Sequence, residues 1–206
     1  MEKRKYKVGI VTLSDKGSRG EREDVSGPKI QELLPDDQYE VVSYRILPDE
    51  QAAIEKELCR LADEEHCALV LTTGGTGFSV RDVTPEATLA VADRIAPGIA
   101  EAIRAYSLTI TPRAMLSRAA SAIRKQTLIV NLPGSPKAVE ESLTYILSSL
   151  DTGWIFFWEK MGNVHGSRRK NERKRNCILQ KRWMYRKTGS RSAGTHPGTA
   201  SEGKKR

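Results

Sequence analysis

The chain has 206 residues, room for one α/β domain with a sizeable core and an appendage. Its formal charge of +8 suggests nucleic acid, but residues 1–150 hold 19 Lys+Arg against 22 Asp+Glu while residues 151–206 hold 15 against 4, so the basicity belongs to the tail and the body is no polyanion-binding surface. Cys59, Cys67 and Cys177 are an odd number without metal-ligand spacing, and no apolar run reaches membrane length or forms a signal-peptide core, which excludes a disulfide framework, a zinc site and a membrane span and leads us to expect a soluble protein of the reducing cytoplasm.

Four short runs rich in Val, Ile and Leu, at Tyr6–Leu13, Tyr39–Ile46, Ala68–Thr72 and Thr127–Asn131, read as buried strands. Between and after them lie stretches of helical spacing: Pro28–Leu34, Gln51–Ala62 with Ile54, Leu58 and Leu61 on one side, Pro85–Ile95, Ile99–Tyr106 and Lys137–Leu150. Alternation of strand and helix predicts an α/β three-layer sandwich, a mostly parallel sheet covered by helices on both faces. Thr84-Pro85-Glu86 and Ser135-Pro136 each offer a hydroxyl cap followed by proline at the first helical position. In such a fold, strand-to-helix loops gather at the carboxyl ends of the strands, where ligands bind.

Four loops stand there. The first runs from Thr12-Leu13-Ser14-Asp15 into Asp24-Val25-Ser26-Gly27-Pro28, with a charged segment, Lys16–Glu23, that is expected to move and fold over a ligand. The second carries Asp49 in Leu47-Pro48-Asp49-Glu50; a helix cap for Gln51–Ala62 is the plain alternative to a chemical role. The third opens with Thr72-Thr73-Gly74-Gly75-Thr76-Gly77, whose glycines let backbone amides approach an anion beside the Thr73 and Thr76 hydroxyls. No Gly-Lys-Ser/Thr follows, so it is no Walker loop, and a tight turn is the alternative. Asp82 comes soon after, either as a functional acid or as a surface turn residue paired with Arg81. The fourth is Asn131-Leu132-Pro133-Gly134-Ser135-Pro136-Lys137, with Gly134 and Ser135 amides at a helix start and Lys137 as a point charge for phosphate. A carboxylate beside a phosphate cradle is repelled unless a divalent cation lies between, which implies Mg²⁺. His66, His165 and His196 have no partner arrangement, and Cys59 and Cys67 read as packing residues.

Taken together, Thr-Leu-Ser-Asp at 12–15, Asp-Val-Ser-Gly-Pro at 24–28, Leu-Pro-Asp at 47–49, Thr-Thr-Gly-Gly-Thr-Gly at 72–77, Arg-Asp-Val-Thr-Pro-Glu-Ala-Thr at 81–88 and Leu-Pro-Gly-Ser-Pro at 132–136 resemble the molybdopterin adenylyltransferases, bacterial enzymes and the equivalent domains of gephyrin type. The resemblance implies a reaction in which molybdopterin and Mg-ATP give adenylyl-molybdopterin and pyrophosphate. It implies Asp49 and Asp82 as catalytic acids and Mg²⁺ ligands. Ser14, Asp15, Ser26, Gly27, Thr73, Gly74, Gly75, Thr76, Gly77, Gly134, Ser135 and Lys137 become the substrate and nucleotide pocket, and the assembly a homotrimer serving a molybdenum-insertion enzyme. A pterin-binding relative without adenylyl transfer and, less favoured, a nucleic-acid binder working through the tail are the alternatives.

The resemblance covers residues 6–150 and stops after Asp151, so the expected organisation is one pterin-binding, adenylyl-transferring domain over 1–150 and a basic tail over 151–206. Trp154, Trp158 and Trp183 all lie in that tail. Back-translating Gly153 to Gly166 and reading one base earlier gives codons compatible with Leu-Asp-Ile-Leu-Leu-Gly-Lys-Asp-Gly-Glu-Cys-Ala-Arg, which continues an amphipathic helix. A frameshift product without packed structure is the expectation for 151–206; a basic appendage for nucleic acid or acidic partners is the competing one.

Overall fold

The central strands are apolar on both faces, so each can be covered only if helices lie above and below it. The computed structural model describes residues 5–154; of the tail expected to lack structure over 151–206, residues 151–154 continue a helix and the rest lie outside the described residues. Strand β1 (Tyr6–Leu13) is followed by a single-turn helix α1 (Asp15–Ser18), α2 (Ser26–Leu33), β2 (Tyr39–Leu47), α3 (Gln51–Asp63), β3 (Leu69–Thr73) and α4 (Thr84–Ala90). Then come β4 (Arg94–Ile95), α5 (Pro97–Leu108), a 3₁₀ turn (Pro112–Leu116), β5 (Ser121–Arg124), β6 (Thr127–Leu132) and α6 (Pro136–Trp154). The sheet order is β2-β1-β3-β6-β5-β4. The first four strands are parallel, with Val8 opposite Leu69 and Leu69 opposite Leu128. Strands β5 and β4 run antiparallel at the far edge.

Side chains alternate across β1 with the period of two that a strand imposes. Val11 and Leu13 join Ile54, Leu58 and Leu61 of α3 and Ala87 of α4 in one buried cluster. Gly9, on that same side, sits directly against Leu61. Thr12 points the other way, toward Gly27 of α2. On the second face α2 and α5 both pack against α6, whose Val139 and Leu143 are fully buried. Burial of each such side chain contributes roughly 1.5–3 kcal/mol.

The layered α/β architecture therefore agrees with the sequence expectation, and the four anticipated strands are present. One helix is shorter than its spacing predicts. The Pro85–Ile95 stretch leaves the helix at Ala90, because Arg94 and Ile95 pair with Ile123 and Ala122 and the Asp93 amide donates to the Ile123 carbonyl. Edge pairing outweighs a helix propensity that is worth only tenths of a kcal/mol per residue. The α4 cap also differs. Thr84 lies inside the helix, the capping position is Val83 without a side-chain bond, and the Thr84 hydroxyl donates instead to the Gly74 carbonyl at 2.9 Å. Ser135 does cap α6, its Oγ accepting from the Ala138 amide at 3.3 Å.

Candidate active site

The loops after β1, β2, β3 and β6 leave adjacent parallel strands at the same edge, so the topology alone puts them in a row. Hydrogen bonds then tie each loop to its neighbours. Asp15 and Asp49 grip one another reciprocally: the Asp15 amide donates to Asp49 Oδ2 at 3.0 Å, and the Asp49 amide to Asp15 Oδ1 at 3.1 Å. Asp49 is consequently no helix cap; α3 is preceded by Glu50, without a side-chain bond. Arg81 forks onto Asp15 rather than pairing with Asp82, with Nε to Oδ2 at 3.0 Å and Nη2 to Oδ1 at 2.7 Å.

This arrangement divides the acids electrostatically. Hydrogen bonding from Arg81 holds the Asp15 carboxyl below the usual carboxylate range. Asp49 goes the opposite way: burial raises it first, and the like charges of Asp15 and Asp82 raise it further, against the Asp15 amide and Arg81.

The glycine loop is bent by two residues of positive φ, Gly74 at 98° and Gly75 at 62°. At Gly74 an added Cβ would strike the Leu13 carbonyl, and at Gly75 it would strike the Thr84 hydroxyl and come within 3.0 Å of Asp49 Oδ1. At Gly77 it would come within 2.9 Å of Asp82 Oδ2. Asp49 and Asp82 thus flank the glycine loop at two successive points. Gly134 from the fourth loop approaches the Gly74 Cα closely enough that its own Cβ would stand 3.4 Å away.

The hydroxyls expected to face a ligand do something else. Ser26 donates to the Gly134 carbonyl at 2.9 Å and Thr73 to the Pro133 carbonyl at 2.6 Å, while Thr76 is buried. Each hydroxyl has one proton, so Ser26 and Thr73 fasten the fourth loop and have none left for a phosphate. Ser14 accepts from the Gly17 amide at 3.0 Å and caps α1. Gly27 lies beside Asp24, whose carboxylate accepts from the Ser26 amide at 2.9 Å and from the Tyr44 hydroxyl at 2.6 Å. Burial opposes the Asp24 charge, but the nearby Thr12 hydroxyl and hydrogen bonds from Tyr44, Gly27 and Ser26 outweigh it and lower its pKa. Lys137 does not join the loops: its ammonium is 3.9 Å from Glu141 and it lines an open groove with Tyr106, Glu140, Thr144 and Tyr145.

Arg118, not singled out in the sequence, holds the Asp82 loop. Its Nε donates to the Gly77 carbonyl at 2.6 Å, one terminal nitrogen donates to the Asp82 carbonyl, and the other pairs with Glu86 of α4. Its own amide donates to the Thr76 carbonyl at 2.9 Å. One side chain therefore joins both ends of the segment from the glycine loop to Asp82. Arg118→Ala leaves those carbonyls without their donors, at a cost of about 2 kcal/mol. The expected result in scanning calorimetry is a melting temperature lower by about 4–8 °C, and little recovery in Arg118→Lys, because an ammonium lacks the planar fork.

Asn131 is fully buried and joins β3 to α4 by donating to the Thr72 hydroxyl at 2.9 Å and the Thr88 hydroxyl at 2.8 Å. Cys67 is buried in the α3/α4 core and Cys59 packs against that core, as expected of packing thiols. Among the described residues no three His, Cys, Asp or Glu side chains form a metal cage.

The family model described as "Probable molybdopterin binding domain" matches residues 9–152, which span every loop of this site. The chain is 51% identical over 140 residues to the molybdopterin adenylyltransferase of Escherichia coli (strain K12), covering 66% of this chain and 71% of that one. It is 43% identical over 145 residues to the protein of the same name from Helicobacter pylori (strain J99), covering 69% and 82%. Among solved structures, the molybdopterin biosynthesis enzyme MoaB from Thermus thermophilus superposes with a TM-score of 0.70 at 47% identity, covering 74% of this chain and 96% of that one. The match over 9–152, together with the 51% identity over 140 residues and the superposition at a TM-score of 0.70, makes this chain a member of the molybdopterin-binding domain family of molybdenum cofactor biosynthesis.

Proposed function

We propose that the domain over residues 1–150 catalyses adenylylation of molybdopterin with ATP, releasing pyrophosphate. The observation that carries this reading is the placement of Asp49 and Asp82 on either side of a glycine loop whose backbone approaches them within a side-chain radius. Relatives named molybdopterin adenylyltransferase support it. In this reading the amides of Gly74, Gly75 and Gly77 steady phosphate, and the Gly134–Ser135 amides at the start of α6 receive a second anionic group. Transfer to phosphorus asks little covalent chemistry of the protein and much positioning, which loops already bonded to one another supply before substrate arrives.

The donor set suits a hard divalent cation: Asp49 and Asp82 offer carboxylate oxygens, and burial followed by the charges of Asp15 and Asp82 makes the uncompensated Asp49 charge costly. Asp49 and Asp82 would hold Mg²⁺, which supplies charge neutralisation on the triphosphate. Asp15 stands behind Asp49 and fixes its orientation.

The exposed apolar side chains Leu108, Ile110, Met115 and Leu116, close together along the end of α5 and the 3₁₀ turn, suit burial between subunits of a homotrimer. The adenylylated product would pass to a molybdenum-insertion enzyme, and the cytoplasm supplies ATP and a reducing setting. Among the described residues no helix is long and apolar enough to cross a membrane. For residues 151–206 the frameshift reading is tested by sequencing the coding DNA around codons 150–155; an intact frame in independent clones sinks it.

The decisive experiment incubates purified protein with molybdopterin and ATP and follows adenylyl-pterin by chromatography. Product is expected with Mg²⁺ present and is expected to fall at least about a hundredfold in EDTA. Pterin binding without turnover under any metal condition would establish the non-catalytic reading instead.

A further inference from the structure

We propose that Arg81 is the side chain that receives the phosphates of the nucleotide, and that its ion pair with Asp15 is the resting position it leaves when they arrive. This rests on the nucleotide-binding reading above. Most other side chains that the sequence offered for that task are committed or lie off the row of loops, while Ser14 and Ser135 accept from amides and offer a proton but no positive charge. Arg118 spends its donors on the Gly77 and Asp82 carbonyls and Glu86, Lys137 stands beside Glu141, and Ser26, Thr73 and Thr84 donate to main-chain carbonyls. Arg19, in the charged segment of the first loop, is forked onto Glu21.

Arg81 differs in three respects. It lies on the segment between the glycine loop and Asp82, next in sequence to the acid itself. Its guanidinium is 54% exposed, held by a carboxylate that is itself 30% exposed, an ion pair that solvent weakens and that a competing anion can replace. Its fork geometry toward Asp15, two parallel N–H···O bonds of 2.7 and 3.0 Å, is the geometry with which a guanidinium meets two oxygens of a phosphate.

The acids explain why a resting position is useful. Asp49 is raised by burial and then by the charges of Asp15 and Asp82, and Arg81 is raised first by its hydrogen bond to Asp15 and further by the charges of Asp49 and Glu50. Without a nucleotide the guanidinium offsets part of this negative charge. Exchange of Asp15 for phosphate forms and breaks no covalent bond: two N–H···O contacts to a carboxylate become two to phosphate oxygens. Asp15 keeps the Asp49 amide as a donor after the exchange, so the Asp15–Asp49 link survives.

The test is isothermal titration calorimetry of the full-length protein with MgATP, with inorganic pyrophosphate with and without Mg²⁺, and with adenosine. Arg81→Gln is expected to weaken MgATP and pyrophosphate about tenfold to a hundredfold, the range of a lost charged hydrogen-bond pair, and to leave adenosine within about twofold. Asp15→Asn frees the guanidinium and is expected to tighten pyrophosphate binding in the absence of Mg²⁺; that gain disappears in the Asp15→Asn/Arg81→Gln double variant. Arg81→Lys, which keeps the charge and loses the fork, falls between parent and Arg81→Gln. Unchanged pyrophosphate affinity in Arg81→Gln overturns the proposal while leaving the enzyme reading intact, as does a gain from Asp15→Asn that persists without Arg81. A loss seen in Lys16→Gln in place of Arg81→Gln overturns it too and assigns the role to Lys16. If the parent binds neither MgATP nor pyrophosphate, the nucleotide reading itself fails and takes this one with it.

Discussion

Asp49→Asn abolishes adenylyl transfer and raises the melting temperature. Both halves of this expected result follow from one carboxylate. Burial and the charges of Asp15 and Asp82 lift its pKa in the folded state above its value in the unfolded chain. A raised acid contributes stability that is complete below the unfolded pKa and is lost as pH climbs through the folded pKa, so at neutral pH the charged form is a burden. Asparagine removes the charge, yet its Oδ1 still accepts from the Asp15 amide, so the Asp15–Asp49 loop contact persists. Calorimetry of parent and variant should show the gap in melting temperature at pH 7 narrow or vanish at pH 4. Turnover, measured as adenylyl-pterin formed, is expected to drop by at least about 10³-fold, comparable to removal of a preorganised charge-stabilising group. Asp82→Ala is expected to match it in activity. A variant that keeps activity within tenfold, or that melts below the parent at neutral pH, rules Asp49 out as the cation-holding acid.

The second large effect is on the backbone. Gly74→Ala forces a side chain into φ 98° and drives its Cβ against the Leu13 carbonyl, a main-chain atom held in the sheet. Strain of this kind costs about 1–3 kcal/mol before the clash is added. For a chain of this size the expected fall in melting temperature is on the order of 10 °C. Gly20→Ala is the matched control: φ there is 73°, but nothing stands within 4 Å of the new Cβ. It should lose only about 1 kcal/mol, and the difference between the two variants isolates the contact with Leu13. Equal losses in the two would show that conformation, not crowding, governs Gly74.

The parts of the structure legible in sequence were those with a local signal. β1 and β3 are largely apolar, through Val8, Ile10, Val11 and Leu13 and through Leu69–Leu71, because helices cover both faces, and Ser135-Pro136 marks the start of α6 because a hydroxyl and a fixed φ act within three residues. The row of loops followed from alternation alone. β5 was not legible, since Ser121-Ala-Ile-Arg124 is too short and mixed to show a period, and its place depends on β6 beside it. Missing β5 also concealed β4, which pairs with it. Arg118 was invisible for a different reason: it acts on carbonyls, which every residue has. Asp15 and Arg81 are 66 positions apart, and nothing in either neighbourhood names the other. Thr84 resembled a cap by every local rule, yet the Gly74 carbonyl, ten residues earlier in the chain, took its proton.

The order β2-β1-β3-β6 has a consequence for how such a site changes over time. Neighbouring strands are about 4.8 Å apart, so the row of loops spans roughly 14 Å measured across the sheet, and on the proposed reading a substrate lies athwart the strands instead of along any one. Each portion of that substrate meets a loop rooted in a different strand. Replacement of the Pro48–Glu50 loop, for instance, alters one stretch of the row and leaves the roots of the other three in register. Substrate preference can be rebuilt one segment at a time on an unchanged sheet, a modularity that a site confined to a single hairpin or helix does not have.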